Sequence, residues 1–199
     1  LAVQRPVSLV YTQYQNITYT GKRSPGYVEC KLAADSEGKL LGMETNWWID
    51  HGPYSEFGDL LTTRQAQFTG AGYDIKNIRG LGKTVCTNHA WGSAFRAYGS
   101  PQAFLSSETA MDMLAEKLGM DPLELRLKNA YRPGATTPTG QEPEVFVVDK
   151  LLEMIRPKWE EAKARCKAFN VPGKKRGVGI SIGIYGCGLD GPDSAGAAV

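Results

Sequence analysis

The chain has 199 residues, 42% of them hydrophobic and 22% charged, and a formal net charge of +2. That length and apolar content support a sizeable core and exclude a disordered chain. The near-balanced charge excludes the basic stripe of a nucleic-acid-binding domain, and no apolar run approaches the roughly 20 residues of a membrane helix, so neither nucleic acid nor membrane is an expected partner.

The chain opens with β-like patterning. Val7, Leu9 and Tyr11 alternate with polar residues, which predicts a half-buried strand over 5–14. A turn at 21–25 leads to a second predicted strand over 27–33, a hairpin loop at 35–39 with Gly38 near the left-handed position, and a third strand over 40–50. The three fit an antiparallel meander. Residues 51–58 form a loop dense in Gly, Pro and aromatics, and 59–71 suits a short helix. Residues 73–82 read as irregular and 83–88 as a strand. A helix begins near Pro101, with Phe104, Met111, Leu114 and Leu118 close to one face and Gly119 as its stop. Asp121-Pro122 starts another, which runs to about Ala130. Residues 132–144 form a Pro/Gly-rich loop. An amphipathic helix follows over 149–169, kinked or interrupted at Pro157, then a strand over 176–185 and a glycine-rich turn at 186–191. The fold class expected is α+β, mixed or antiparallel sheets with packed helices, divided into 1–145 and the start of a second domain at 146–199.

The chemistry-bearing residues are few. Cys30, Cys86, Cys166 and Cys187 are scattered and the only histidines are His51 and His89, so no protein-ligated zinc or iron–sulfur site is expected. No nucleophile elbow or phosphate loop occurs. The segment 92–102 combines a Gly/Ser/Ala turn with a following helix start. Its backbone N–H groups, the helix dipole and the Arg96 guanidinium could cradle an anionic, partly flat cofactor. It could equally be a tight turn whose arginine caps neighbouring carbonyls. Phe57 and Leu60 could line an apolar funnel or be ordinary core side chains, and Arg64 could be a solvated or paired arginine. The loop around Leu189 could be a ligand loop or a hairpin. A non-catalytic module stacking ligands on exposed Trp47, Trp48 and Trp91 is a second possibility, and a degenerate homologue kept for assembly a third.

Four runs together carry a resemblance. They are Tyr19-Thr20-Gly21-Lys22-Arg23-Ser24-Pro25, Asp50-His51-Gly52-Pro53-Tyr54-Ser55-Glu56-Phe57-Gly58-Asp59-Leu60-Leu61, Asn77-Ile78-Arg79-Gly80, and Gly92-Ser93-Ala94-Phe95-Arg96-Ala97-Tyr98-Gly99-Ser100-Pro101-Gln102. They resemble the molybdenum-binding region of the xanthine oxidase family, in particular its bacterial branch of molybdenum aldehyde oxidoreductases from sulfate reducers. Residues 113–129, 131–144 and 177–193 continue the likeness, which covers nearly the whole chain.

The resemblance implies oxidation of an aldehyde to a carboxylic acid with oxygen taken from water. It implies a molybdopterin cytosine dinucleotide whose dithiolene holds the molybdenum, which is why no protein metal ligands are needed. Two [2Fe–2S] clusters would lie in an upstream region. Ala94, Phe95 and Arg96 would lie against the cofactor, and Phe57, Leu60, Tyr98 and Leu189 would line the substrate channel. Arg64 aligns with an arginine that orients purines in the xanthine-oxidising branch, but Tyr98 stands where that branch has phenylalanine, which favours small aldehydes. The base glutamate and the Gly-Gly-x-Phe-Gly loop of the family are not among these residues. The chain therefore reads as an internal fragment of a larger enzyme, inactive alone, with no catalytic residue of its own. The intact enzyme is expected to be a cytoplasmic homodimer, and its electron acceptor stays open.

Overall fold

The computed structural model describes residues 3–54, 56–70 and 72–185. The hairpin forms as its alternation predicts. β1 (Gly26–Ala34) pairs antiparallel with β2 (Leu40–Asp50), from Gly26 opposite Ile49 to Ala33 opposite Gly42. Asp35 closes the turn. Its Oδ1 accepts the N–H groups of Glu37 at 3.0 Å and Lys39 at 2.8 Å, and Gly38 takes φ 80°, a conformation that favours glycine.

The rest of the expected meander does not form. Residues 3–11 make no strand, and Val7 and Val10 are 75% and 85% exposed. Alternation needs a neighbouring strand to bury its apolar face, and none lies there. Instead Thr12 starts α1 (Gln13–Tyr19) through a reciprocal capping box with Gln15. The third strand is β3 (Ile78–Val85), which begins earlier than its glycines suggest and pairs parallel with β2, Met43 opposite Ile78 through Asp50 opposite Val85. The sheet is therefore mixed, in the order β1-β2-β3. Gly80 and Gly82 admit the Trp47 indole: a Cβ at Gly82 would lie 2.4 Å from the Trp47 ring and 2.5 Å from Thr62, and one at Gly80 2.8 Å from the ring. Glycine here marks close approach rather than a break in the strand. Trp47 itself is core, so three exposed tryptophans for ligand stacking are not present.

A parallel pair needs a crossover, and α2 (Gly58–Phe68) supplies it. α3 (Ser100–Leu118) packs against β1 and α2, and α4 (Pro122–Asn129) packs on α3. Both ends read as expected: Gly119 takes φ 64°, and the Asp121 side chain accepts the Leu123 N–H at 2.8 Å. Leu40, Met43, Tyr73, Ile75, Met111, Ala115 and Leu125 form the main core between sheet and helices. α5 (Val148–Ala168) runs uninterrupted through Pro157. It packs on α4 through Val148, Leu152 and Trp159, a cluster shared with Leu123 and Leu127 across the division expected at 145/146.

The strand expected over 176–185 is not formed among the described residues, although its alternation is real. Ile180, Ile182 and Ile184 pack against the core clusters while the residues between them are exposed. Among the described residues the sheet order β1-β2-β3 does not include this segment. Its backbone is fixed at the Ile182 N–H, which donates to Glu108 Oε2 at 3.0 Å. Glu108 also takes the Tyr73 hydroxyl at 2.5 Å and the Arg126 Nε at 2.9 Å, and Arg126 reaches Asp112 and the Pro122 carbonyl. Arg126 is fully buried with its donors engaged, and burial pushes the Tyr73 phenol well above the usual tyrosine range. This cluster ties α3, α4 and the 180–184 segment together.

Candidate functional site

The bend at 92–99 is held tightly from behind. Lys22 donates its N–H to the Trp91 carbonyl at 3.2 Å and accepts the Ser93 N–H at 3.0 Å, a short parallel bridge. The Gly92 N–H donates to the His51 carbonyl at 3.1 Å. Beneath Gly92 lie Ser24 and His51, both buried, with Ser24 Oγ 2.8 Å from His51 Nδ1. A Cβ at Gly92 would stand 1.9 Å from Ser24 Oγ, so only glycine fits.

The turn then reverses. Tyr98 N–H bonds the Phe95 carbonyl and Ser100 N–H the Ala97 carbonyl, both at 2.9 Å. Ala97 takes φ 66°, which costs an alanine roughly 1–2 kcal/mol and persists only where the surroundings over-determine it. Gly99 takes φ 86°, and a Cβ there would lie 2.9 Å from both the Leu61 carbonyl oxygen and the Gln65 nitrogen. The bend therefore sits directly on the backbone of α2, and Pro101 opens α3 behind it.

Its outer face is different. Ala94, Phe95 and Arg96 are exposed. Arg23 donates to the Arg96 carbonyl and stacks 5.0 Å from the Phe95 ring centre, which engages that carbonyl. Among the described residues no acceptor takes the N–H groups of Ala94, Phe95 or Arg96, and the Arg96 guanidinium makes no hydrogen bond or ion pair. Gln102 donates Nε2 to the Ser24 carbonyl at 3.2 Å, while its Oε1 is buried without a partner. Consecutive unpaired N–H donors beside a free guanidinium suit an oxygen-rich, anionic group.

The sequence-predicted channel residues are partly assembled beside this bend. Phe57 and Leu60, 43% and 40% exposed, stand at the N-cap and in the first turn of α2, and Leu60 and Arg64, four residues apart, share one helix face. They are not core side chains; Leu61 is. Tyr98 donates its hydroxyl to the Phe57 carbonyl and so joins bend to wall. Burial foremost pushes the Tyr98 phenol up to about 12, so it stays a donor at neutral pH. Arg64 is half-buried, bonds Gln67 at 2.8 Å and lies 5.3 Å from the Phe68 ring and 5.7 Å from Tyr185. Leu189 and the 186–191 turn lie outside the described residues.

Several anchoring residues lie within the runs that carry the family resemblance, but nothing local marks them as supports: Arg23, Ser24, His51 and Gln102. Asp50 is another. It takes the Thr87 hydroxyl at 2.6 Å and the Gly52 N–H at 3.0 Å and pairs with His89. The Thr87 hydroxyl foremost holds its carboxyl below the usual range. Among the described residues no group of His, Cys, Asp and Glu could hold a metal ion, and no helix is long and apolar enough to cross a membrane.

Comparison with known proteins bears on what this donor set receives. The family pattern described as "Molybdopterin cofactor-binding domain" matches residues 1–130. The chain is 62% identical over 195 residues to the aldehyde oxidoreductase of Megalodesulfovibrio gigas, covering 98% of this chain and 22% of that protein. It is 35% identical over 173 residues to the nicotinate dehydrogenase large molybdopterin subunit of Eubacterium barkeri, covering 87% of this chain and 39% of that one. The structure superposes on the aldehyde oxidoreductase from Desulfovibrio desulfuricans ATCC 27774 with a TM-score of 0.87 at 58% identity, over 92% of this chain and 20% of that one. The chain thus spans well under half the length of the relatives it matches.

Proposed function

This chain belongs to the molybdopterin cofactor-binding domain family, and from that premise we propose that its bend at 92–99 grips the pterin while α2 walls the substrate approach in an aldehyde-oxidising enzyme. The observation that carries the reading is the two-sided bend. The N–H groups of Gly92, Ser93 and Tyr98 are bonded within the protein, whereas Ala94, Phe95 and Arg96 are exposed and neither their N–H groups nor the Arg96 guanidinium takes a partner among the described residues. Such donors match pterin carbonyl oxygens and phosphate oxygens, and the orphaned Gln102 Oε1 could take an N–H from the same group.

When bound, the cofactor supplies a molybdenum centre for two-electron oxidation of an aldehyde to a carboxylic acid with oxygen from water. The residues of this chain bind and orient. Ala94, Phe95 and Arg96 hold the pterin; Phe57, Leu60 and Tyr98, with Leu189, shape an apolar approach that desolvates a small aldehyde; Arg64 borders it. None of them is assigned a proton transfer, and the general base belongs to another part of the enzyme. The cytosine dinucleotide form of the cofactor, two [2Fe–2S] clusters, a cytoplasmic location and a homodimeric intact enzyme complete the proposal. The identity to the Megalodesulfovibrio gigas aldehyde oxidoreductase supports the choice of aldehydes. Residues 1–145 and 146–199 are read as parts of two successive cofactor-binding domains.

Molybdenum analysis of the purified intact enzyme, paired with aldehyde-dependent dye reduction, tests this. Stoichiometric molybdenum with activity is expected. A folded intact protein without molybdenum and without dye reduction overturns the reading.

A further inference from the structure

His51 lies at the point where four segments meet, and its side chain is completely buried. It ends β2: its N–H donates to the Val85 carbonyl at 3.0 Å, and its carbonyl accepts the Gly92 N–H at 3.1 Å. The imidazole then spans the remaining gap. Nδ1 lies 2.8 Å from Ser24 Oγ, under the bend, and Nε2 accepts the Phe57 N–H at 3.5 Å, at the head of α2. Gly58 fits against the ring from the far side, where a Cβ would come within 3.0 Å of it.

The chemistry of the ring fixes the roles. A neutral imidazole has one donor nitrogen and one acceptor. Because the Phe57 amide can only donate, Nε2 is the acceptor, and Nδ1 carries the hydrogen that Ser24 Oγ receives. Ser24 is tied in turn to α3, its carbonyl taking Gln102 Nε2. One ring therefore supports the bend through one nitrogen and the channel wall through the other. We propose that His51 is the positioning residue that sets the bend at 92–99 in register with the Phe57 wall, Nδ1 holding the bend and Nε2 holding the wall. The functional half of this inference rests on the cofactor reading above; the mechanical half does not.

The two halves separate by substitution. Asparagine places an amide nitrogen where Nδ1 stands and cannot reach Phe57; glutamine places an oxygen where Nε2 stands and cannot serve Ser24. In the intact enzyme His51→Asn is expected to keep amide-exchange protection at Ser93 and Tyr98, and molybdenum content, at parental levels. It should speed exchange at Phe57 roughly 3- to 10-fold and raise KM for aldehyde by a similar factor. His51→Gln should do the reverse: faster exchange at Ser93 and Tyr98, lower molybdenum content, unchanged KM in the loaded fraction. Ser24→Ala removes the Nδ1 bond without touching the ring and should reproduce the His51→Gln pattern, which keeps the test decisive should a His51 variant fail to fold. Equal effects of both His51 variants on both segments, or a Ser24→Ala protein with parental protection at the bend, overturn the proposal. A parent enzyme without molybdenum would remove the cofactor reading alone, since the exchange pattern still decides what His51 holds.

Discussion

Two buried polar clusters in this molecule are built to opposite ends. Around Arg126, Glu108 takes Tyr73, Arg126 and the Ile182 N–H, and nothing is left open. Around His51, the inner groups are equally engaged, but the network ends in a bend whose outer N–H groups and guanidinium have no acceptor among the described residues. A closed cluster serves stability and specifies how helices dock. A cluster that is closed behind and open in front holds unpaired donors still, which is the structural requirement for gripping a ligand without reorganisation.

Breaking the closed cluster should give the largest effect. Arg126→Met leaves Glu108 as an uncompensated buried charge and should cost about 3–5 kcal/mol in denaturant unfolding of the intact protein. The pair itself is no proof of net stabilisation, so replacing Arg126 and Glu108 together by apolar residues should recover much of that loss. Gly92→Ala comes next. Its methyl group overlaps Ser24 Oγ, and overpacking there should cost about 1–3 kcal/mol while displacing the bend and lowering molybdenum content.

Arg96→Ala sharpens the contrast from the open side. The guanidinium has no partner within the described residues, so thermal stability of the cofactor-free protein should stay within about 0.5 kcal/mol of the parent. Cofactor retention should weaken about 10- to 100-fold, the worth of a charge-assisted hydrogen bond. A fall in stability with unchanged retention would place Arg96 with the structural residues. The smallest effect belongs to Tyr98→Phe, which loses one hydrogen bond to the Phe57 carbonyl, about 0.5–1.5 kcal/mol. It also carries a pH signature. The folded phenol is raised from its ordinary 10.0 to about 12, so its contribution is complete below pH 10 and is lost as pH climbs towards 12. The parent should therefore lose more stability than Tyr98→Phe across that alkaline window.

The fold was legible where local chemistry and tertiary packing agree. The hairpin of β1 and β2 follows from alternation plus Asp35 and Gly38, and α3 and α4 from Gly119 and Asp121-Pro122. It was misread where a pattern depends on a distant partner. Val7, Leu9 and Tyr11 alternate beside no strand, and Gly80 and Gly82 look like breakers until Trp47 is laid across them. The 180–184 isoleucines keep the strand alternation but pack on the core clusters and against Gly72 without a strand partner among the described residues. At the site, the Gly/Ser/Ala run before Pro101 was readable because it is local, whereas the channel roles of Phe57, Leu60 and Arg64 came only with the family resemblance. The Ser24–His51 support was not, since its partners are 27 residues apart in two separate runs and only the folded chain brings them together.

The central claim concerns the outward N–H groups of Ala94, Phe95 and Arg96, and amide hydrogen exchange in the intact enzyme measures them directly. Comparing cofactor-loaded with cofactor-stripped protein, these three amides should exchange markedly more slowly when the pterin is bound, while Gly92 and Ser93, already bonded to His51 and Lys22, change little. Equal exchange at the three amides in both states would contradict the account.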